Sequence, residues 1–224
     1  MSSVEDLLNR IQAEAAKGDI SIDEPIYTKS ERDPLKPILF AGNLEAPLAV
    51  MARDLGWQEV KYAEPLIGDA GQRVRKAIYR AVTKEEPPKG DVYLAEAMKH
   101  VLFTNTAPYK PVGNKAYPNS VKERLRPFLE ELLVCHWKGN TIITMGTEAF
   151  QWYAGYAPKG AADAFWKRSD RYEAEFHCTI KANCRGEMKT KELTVAPLPH
   201  PSPLNRTYLP LFPGMLEKRL QKVL

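Results

Sequence analysis

Four short apolar runs, separated by amphipathic stretches of helical length, constrain this chain more than any other feature. The runs are Pro37-Ile38-Leu39-Phe40-Ala41-Gly42, His100-Val101-Leu102-Phe103-Thr104-Asn105, Asn140-Thr141-Ile142-Ile143-Thr144-Met145-Gly146 and Leu193-Thr194-Val195-Ala196. Runs of that length and continuity suit strands buried on both faces. Residues 3–17 place Val4, Leu7, Leu8 and Ile11 on one helical face behind an N-cap at Ser3. Residues 73–84 carry Val74, Ile78, Ala81 and Val82, and residues 120–135 follow Ser120 with Val121, Leu125, Phe128, Leu129, Leu132 and Leu133. Thr147 is positioned to cap a short helix over 148–154, and residues 213–224 turn Met215, Leu216, Leu220 and Val223 inward. The run 48–55 reads as one more helix, closed by Gly56, and residues 173–180 as a strand or hairpin before the last core strand. The alternation predicts an α/β fold: a three-layer α/β/α sandwich with a short, largely parallel central sheet.

At 224 residues the chain suits one large domain over 1–224, with 1–36 as an N-terminal helix and surface traverse and 155–191 as an insertion or hairpin. No apolar run is long enough to span a bilayer, and the first residues lack a basic start followed by an apolar stretch, so a cytoplasmic protein is expected. The formal charge of +4 permits an anionic partner without identifying one. Cys135, Cys178 and Cys184 are odd in number, widely spaced and without a CxxC pair, which predicts reduced thiols and no metal cage.

The last apolar run stops at Pro197-Leu198-Pro199-His200-Pro201-Ser202-Pro203-Leu204-Asn205-Arg206. Four prolines fix φ there, so His200, Ser202 and Leu204 point in preset directions with little ordering entropy left to lose. Taken alone, the loop fits a binding site and a stiff surface connection equally well. The other polar groups that follow apolar runs are Asn43, Glu45 and Asn105, and parallel strands bring such ends to one ligand-binding edge. Asn supplies a donor and an acceptor for the edge of an amide-containing base, and neutral His can donate to an oxygen that gains charge. His100, His136 and His177 read as structural, and Tyr153, Tyr156, Phe165 and Trp166 as core.

From about residue 38 to 206 the chain resembles the uracil-DNA glycosylase superfamily. Gly68-Asp69-Ala70-Gly71-Gln72 is similar to the Gly-x-Ala-Gly-Gln segment of the thermostable bacterial and archaeal branch. Thr104-Asn105 through Lys110-Pro111-Val112-Gly113-Asn114-Lys115, then Arg126-Pro127-Phe128-Leu129-Glu130 and Met145-Gly146-Thr147, continue the likeness in order. His200-Pro201-Ser202-Pro203-Leu204 resembles the superfamily's second signature. The resemblance implies that Asn105 reads an extruded base, His200 stabilises the departing base anion, and Leu204 wedges into the vacated stack. It makes Ser202, Arg206, Lys110, Lys115 and Gln72 candidate DNA contacts, and Gly42, Leu66 and Tyr62 candidates for lining the base.

The first signature departs from the family. Either Glu45, in Glu45-Ala46-Pro47, or Asn43, directly after Gly42, would hold the attacking water, and Glu45 is slightly preferred. Leu66 replaces the stacking Phe of the thermostable branch. Tyr109 stands where that branch has a cluster cysteine, so no iron–sulfur cluster or other cofactor is expected. The implied activity is hydrolysis of the N-glycosidic bond of uracil or a related damaged pyrimidine in DNA, as in base excision repair, by a monomer without membrane contact. The alternative is a catalytically weak or inactive DNA-binding homologue of the same fold. An enzyme of free nucleosides is a third reading, disfavoured by the wedge.

Overall fold

The structure, a computed structural model, describes residues 3–202 and 205–224. Helix α1 (Val4–Ala15) opens where the Ser3 hydroxyl accepts the Asp6 N–H at 3.1 Å, and it buries Leu7, Ile11 and Ala15. Helix α2 (Glu24–Lys29) leads to strands β1 (Phe40–Gly42) and β2 (Leu48–Ala52). Helices α3 (Trp57–Tyr62), α4 (Asp69–Thr83) and α5 (Val92–His100) precede β3 (Val101–Asn105). Helix α6 (Asn119–Glu131) runs into a π-helical turn, Leu132–His136, ahead of β4 (Thr141–Met145). Helices α7 (Thr147–Gln151) and α8 (Ala161–Trp166), the hairpin of β5 (Phe176–Cys184) and β6 (Glu187–Leu198), and α9 (Phe212–Leu220) complete the order.

The six strands form one sheet in the order β1-β3-β2-β4-β6-β5. The four inner strands are parallel, and β1 and β5 pair antiparallel at the two edges. The pleat sorts side chains to opposite faces. Ala49 and Met51 of β2 join Leu7, Ile11, Leu125, Leu129 and Phe150 on one face, whereas Leu48, Val50 and Ala52 join Val74, Ile78, Leu216 and Leu220 on the other. Helices α1, α6 and α7 therefore form one outer layer and α4, α5 and α9 the other, as expected for the three-layer sandwich.

The run 48–55 is not a helix. Its first five residues are the central strand β2, all 5% exposed or less. Leu, Ala and Met favour helices intrinsically, but a strand covered on both faces shows no alternation to betray it, and pairing to β3 and β4 decides the outcome. The first run contributes only the edge strand β1, antiparallel to β3. Helix α7 is capped by Gly146, not Thr147. Strand β6 continues through Pro197, which lies opposite Thr144, so the proline-rich loop starts two residues later than the sequence suggests. Cys135 and Cys184 form a disulfide, and only Cys178 is a free, buried thiol. The expectation of three reduced thiols fails because the π-helical turn and the tip of β5 bring two distant cysteines together. Among the described residues, no helix is long and apolar enough to cross a membrane.

Candidate active site

The carboxyl ends of β2, β3, β4 and β6 share one edge, and a cleft of about 270 Å³ opens there. Arg53 and Asp54 after β2, Asn105 at the end of β3 and His200 beyond β6 all line it, with Leu66, Gly68, Ala70 and Asn114. This lies just below the usual range for ligand pockets, about 300–1,000 Å³, and suits a single ring system.

Asn105 is 2% exposed. Its Nδ2 donates to the Asp54 carbonyl at 3.1 Å, while its Oδ1 is buried without a protein partner. A buried acceptor left in that state costs free energy unless a ligand supplies the donor. His200 follows Leu198, whose carbonyl accepts the Gly146 N–H at 2.8 Å. A Cβ on Gly146 would lie 3.2 Å from the His200 Cβ, and Gly146 has φ +88°, so this glycine permits the close approach. The backbone N–H of Ser202 and the Asn205 side-chain amide both donate to the His200 carbonyl, at 2.9 and 3.2 Å. His200 is solvent-exposed at the mouth of the cleft. Desolvation first, and the Arg53 cation second, hold its pKa below the ordinary histidine value, so it stays neutral near pH 7.

Asp54 is the group the sequence reading missed. Its side chain is 5% exposed, and Arg53 Nε lies 2.6 Å from Oδ2. Burial raises its pKa above the normal aspartate value, and the Arg53 charge opposes that rise. The Arg53 Nη2 also donates to the Asn114 carbonyl at 3.1 Å, so one guanidinium bridges the carboxylate and the loop after β3. The available signal was a run of five apolar residues followed at once by Arg-Asp-Leu-Gly, the strand-then-polar pattern already used for Asn105.

The far wall is built from the stretch after β2. The Glu59 carboxylate accepts the Gly56 N–H and the Gly68 N–H, each at 2.9 Å, tying two wall segments together. Leu66 adopts φ +55° and is buried. Its carbonyl accepts Arg75 Nε at 3.0 Å, and a Cβ on Gly71 would collide with that carbonyl. Arg75 is wholly buried. It also donates to the Pro65 carbonyl at 3.0 Å, pairs with Glu64 at 2.6 Å, and stacks 4.2 Å from the Phe103 ring centroid.

Several sequence candidates sit elsewhere. Asn43 and Glu45 lie in the turn before β2: Asn43 Nδ2 donates to the Lys99 carbonyl at 2.8 Å, and its Oδ1 accepts the Glu45 N–H at 2.9 Å. Because β1 runs antiparallel to β3, that turn falls at the amino edge of the sheet, beside Val101. The length of β2, about 16 Å, separates it from Asp54. Neither alignment of the first signature therefore brings a side chain to the cleft. Gly42 belongs to the same far edge. Lys110 is not free to meet a phosphate, because it is buried and pairs with Asp23 at 2.8 Å. Tyr62 is exposed on α3, outside the cleft lining. Gln72 lines a neighbouring groove. Lys115 is exposed next to Asn114, Arg206 is exposed, and Ser202 is half-buried beside His200. Leu204, the expected wedge, lies outside the described residues.

No curated protein sequence matches the chain. The sheet with its carboxyl-edge cleft, and the ordered motifs that line it, coincide with a match to the family model of the Uracil DNA glycosylase superfamily over residues 39–224, and the chain belongs to that superfamily.

Proposed function

We propose that the protein is a monofunctional DNA glycosylase that hydrolyses the N-glycosidic bond of uracil or a closely related pyrimidine. Membership of the superfamily supports a glycosylase of the uracil-DNA glycosylase kind. The observation that carries the finer reading is the unpartnered Oδ1 of Asn105 in the same cleft as His200. That oxygen accepts the N3–H of uracil, while the second N–H of Nδ2 donates to O4. Cytosine offers neither match, since its N3 is an acceptor and its 4-position a donor.

Breaking the bond leaves the base anionic and the sugar cationic. Neutral His200 donates a ring N–H toward O2 of the departing base, and Arg53 adds a positive charge on the same side of the cleft. Asp54 is the carboxylate that orients water and stabilises the sugar cation. The target nucleotide reaches this depth only by leaving the duplex. Ser202, Arg206 and Lys115 are the proposed phosphate contacts around the mouth.

One observation favours a second reading, a homologue that binds damaged DNA without turnover. Both carboxylate oxygens of Asp54 are shielded from solvent, with Arg53 lying against one of them. Catalysis thus requires Arg53 to lift away once DNA is bound. Incubating the protein with uracil-containing single- and double-stranded oligonucleotides and assaying free uracil separates the two. Release supports the glycosylase. Tight, salt-sensitive binding with no release in any mismatch context supports the binder.

A further inference from the structure

We infer that the exposed basic face of α4 is the track along which the phosphodiester backbone of the target strand leaves the cleft. This rests on the proposed action on DNA, and it extends the contact surface well beyond the base pocket. Asp69, the first residue of α4, lines both the cleft and a second groove of about 390 Å³, so the two adjoin at that residue. That groove is bounded by Arg73, Lys76 and Arg80 on α4 and by Phe212, Pro213 and Leu216 at the start of α9.

The three cations follow i, i+3, i+7 spacing and are all exposed, so they form one stripe. From Arg73 to Arg80 the helix rises about 10 Å, the axial length of about three phosphates in one strand. Opposite them, Phe212 and Leu216 are buried in the core, and Pro213 and Gly214 are the exposed residues of the first turn of α9. Lys76 is held in place over the Tyr93 ring, 5.3 Å from its centroid. Two acids bear on the stripe. Asp69 stands at its cleft end, and Glu86 pairs with Arg80 at 2.8 Å. The Arg80–Glu86 pair is solvent-exposed, where ion pairs are weak and screened, so a phosphate can displace Glu86. The groove lined by Lys122 and Arg126 is the less favourable surface for an anion, because Glu123, Glu130 and Glu148 outnumber its two cations. There Lys122 pairs with Glu148 at 2.9 Å, Arg126 pairs with Glu123 at 3.1 Å, and Glu130 lines the same groove.

The test compares the full-length protein with R73Q/K76Q/R80Q and with K159Q/K167Q, a control with exposed lysines on the opposite side of the sheet. Fluorescence anisotropy with a single-stranded uracil-containing oligonucleotide is followed as a function of salt. Loss of three phosphate contacts flattens the slope of log K against log salt by about 2, so a fourfold drop in salt gains the wild type about 20-fold more affinity than the triple variant. An unchanged slope in the triple variant, or equal flattening in the control, overturns the track. Uracil release by the wild type is scored separately. Release with an unchanged slope removes the track alone, whereas a wild type with neither release nor salt-dependent binding removes the glycosylase reading and the track with it.

Discussion

Asp54→Asn is expected to make the protein more stable and nearly inactive. The carboxylate is buried with its Oδ1 unpartnered, and its raised pKa reports that desolvation outweighs the Arg53 attraction. Replacing an unsatisfied buried charge by a neutral amide recovers about 1–3 kcal/mol. Arg53 loses its ion pair but is 39% exposed and can be hydrated, at a cost below about 1 kcal/mol. The net gain is about 1–2 kcal/mol, which for a chain of this size raises Tm by roughly 2–8 °C. The sign of the pH dependence follows. Above the ordinary aspartate pKa of 3.8 the folded protein holds a proton on Asp54 more readily than the unfolded chain. This group therefore adds stability as pH falls through that window, and the Asn variant lacks the effect. Single-turnover uracil release from the same variant is expected to fall about 10²–10⁴-fold. Thermal melts across pH and a quench-flow excision assay read both quantities. A lowered Tm, or undiminished release, would refute the assignment of Asp54 as a strained functional carboxylate.

His200→Ala is expected to lower single-turnover excision by about 10²–10³-fold while leaving oligonucleotide affinity nearly intact. In the wild type, excision governed by neutral His200 stays level as pH falls through 6.5 and declines only below it. Arg53→Met shifts that decline to higher pH by removing the second cause of the depressed pKa. Arg75→Met breaks a buried ion pair and frees the Pro65 and Leu66 carbonyls, so urea melts are expected to show a loss of about 3–5 kcal/mol. Cys135→Ser opens a disulfide that closes a 49-residue separation, for which chain entropy gives about 4 kcal/mol. Its denaturation midpoint should match that of reduced wild type and fall below that of the oxidised protein.

Where local signals and tertiary context agreed, the sequence was readable. The Ser3 cap and the spacing of Leu7 and Ile11 located α1, and short continuous apolar runs located β3, β4 and the C-terminal half of β6. Because Asn105 and His200 follow parallel strands, their shared edge was foreseeable. Asn43 and Glu45 were misplaced because one error propagated. Once Leu48 to Ala52 was taken as helix, β1 became the strand delivering polar groups, whereas it is an antiparallel edge strand pointing the other way. The same error concealed Asp54. Lys110 looked like a free cation because its partner, Asp23, is distant in sequence, and the Cys135–Cys184 bridge depends likewise on a non-local approach. Local pattern carries no information about such pairs.

The proposed chemistry resides at the carboxyl edge, on Asp54, Asn105 and His200, and not at the turn that carries Asn43 and Glu45. Single-turnover release of uracil from one oligonucleotide, compared among wild type, Asp54→Asn, His200→Ala, Asn43→Ala and Glu45→Ala, tests it most directly. Release is expected from the wild type, Asn43→Ala and Glu45→Ala at similar rates, with losses of about 10²–10⁴-fold for Asp54→Asn and His200→Ala. Loss of release in Glu45→Ala or Asn43→Ala with Asp54→Asn still active would contradict it.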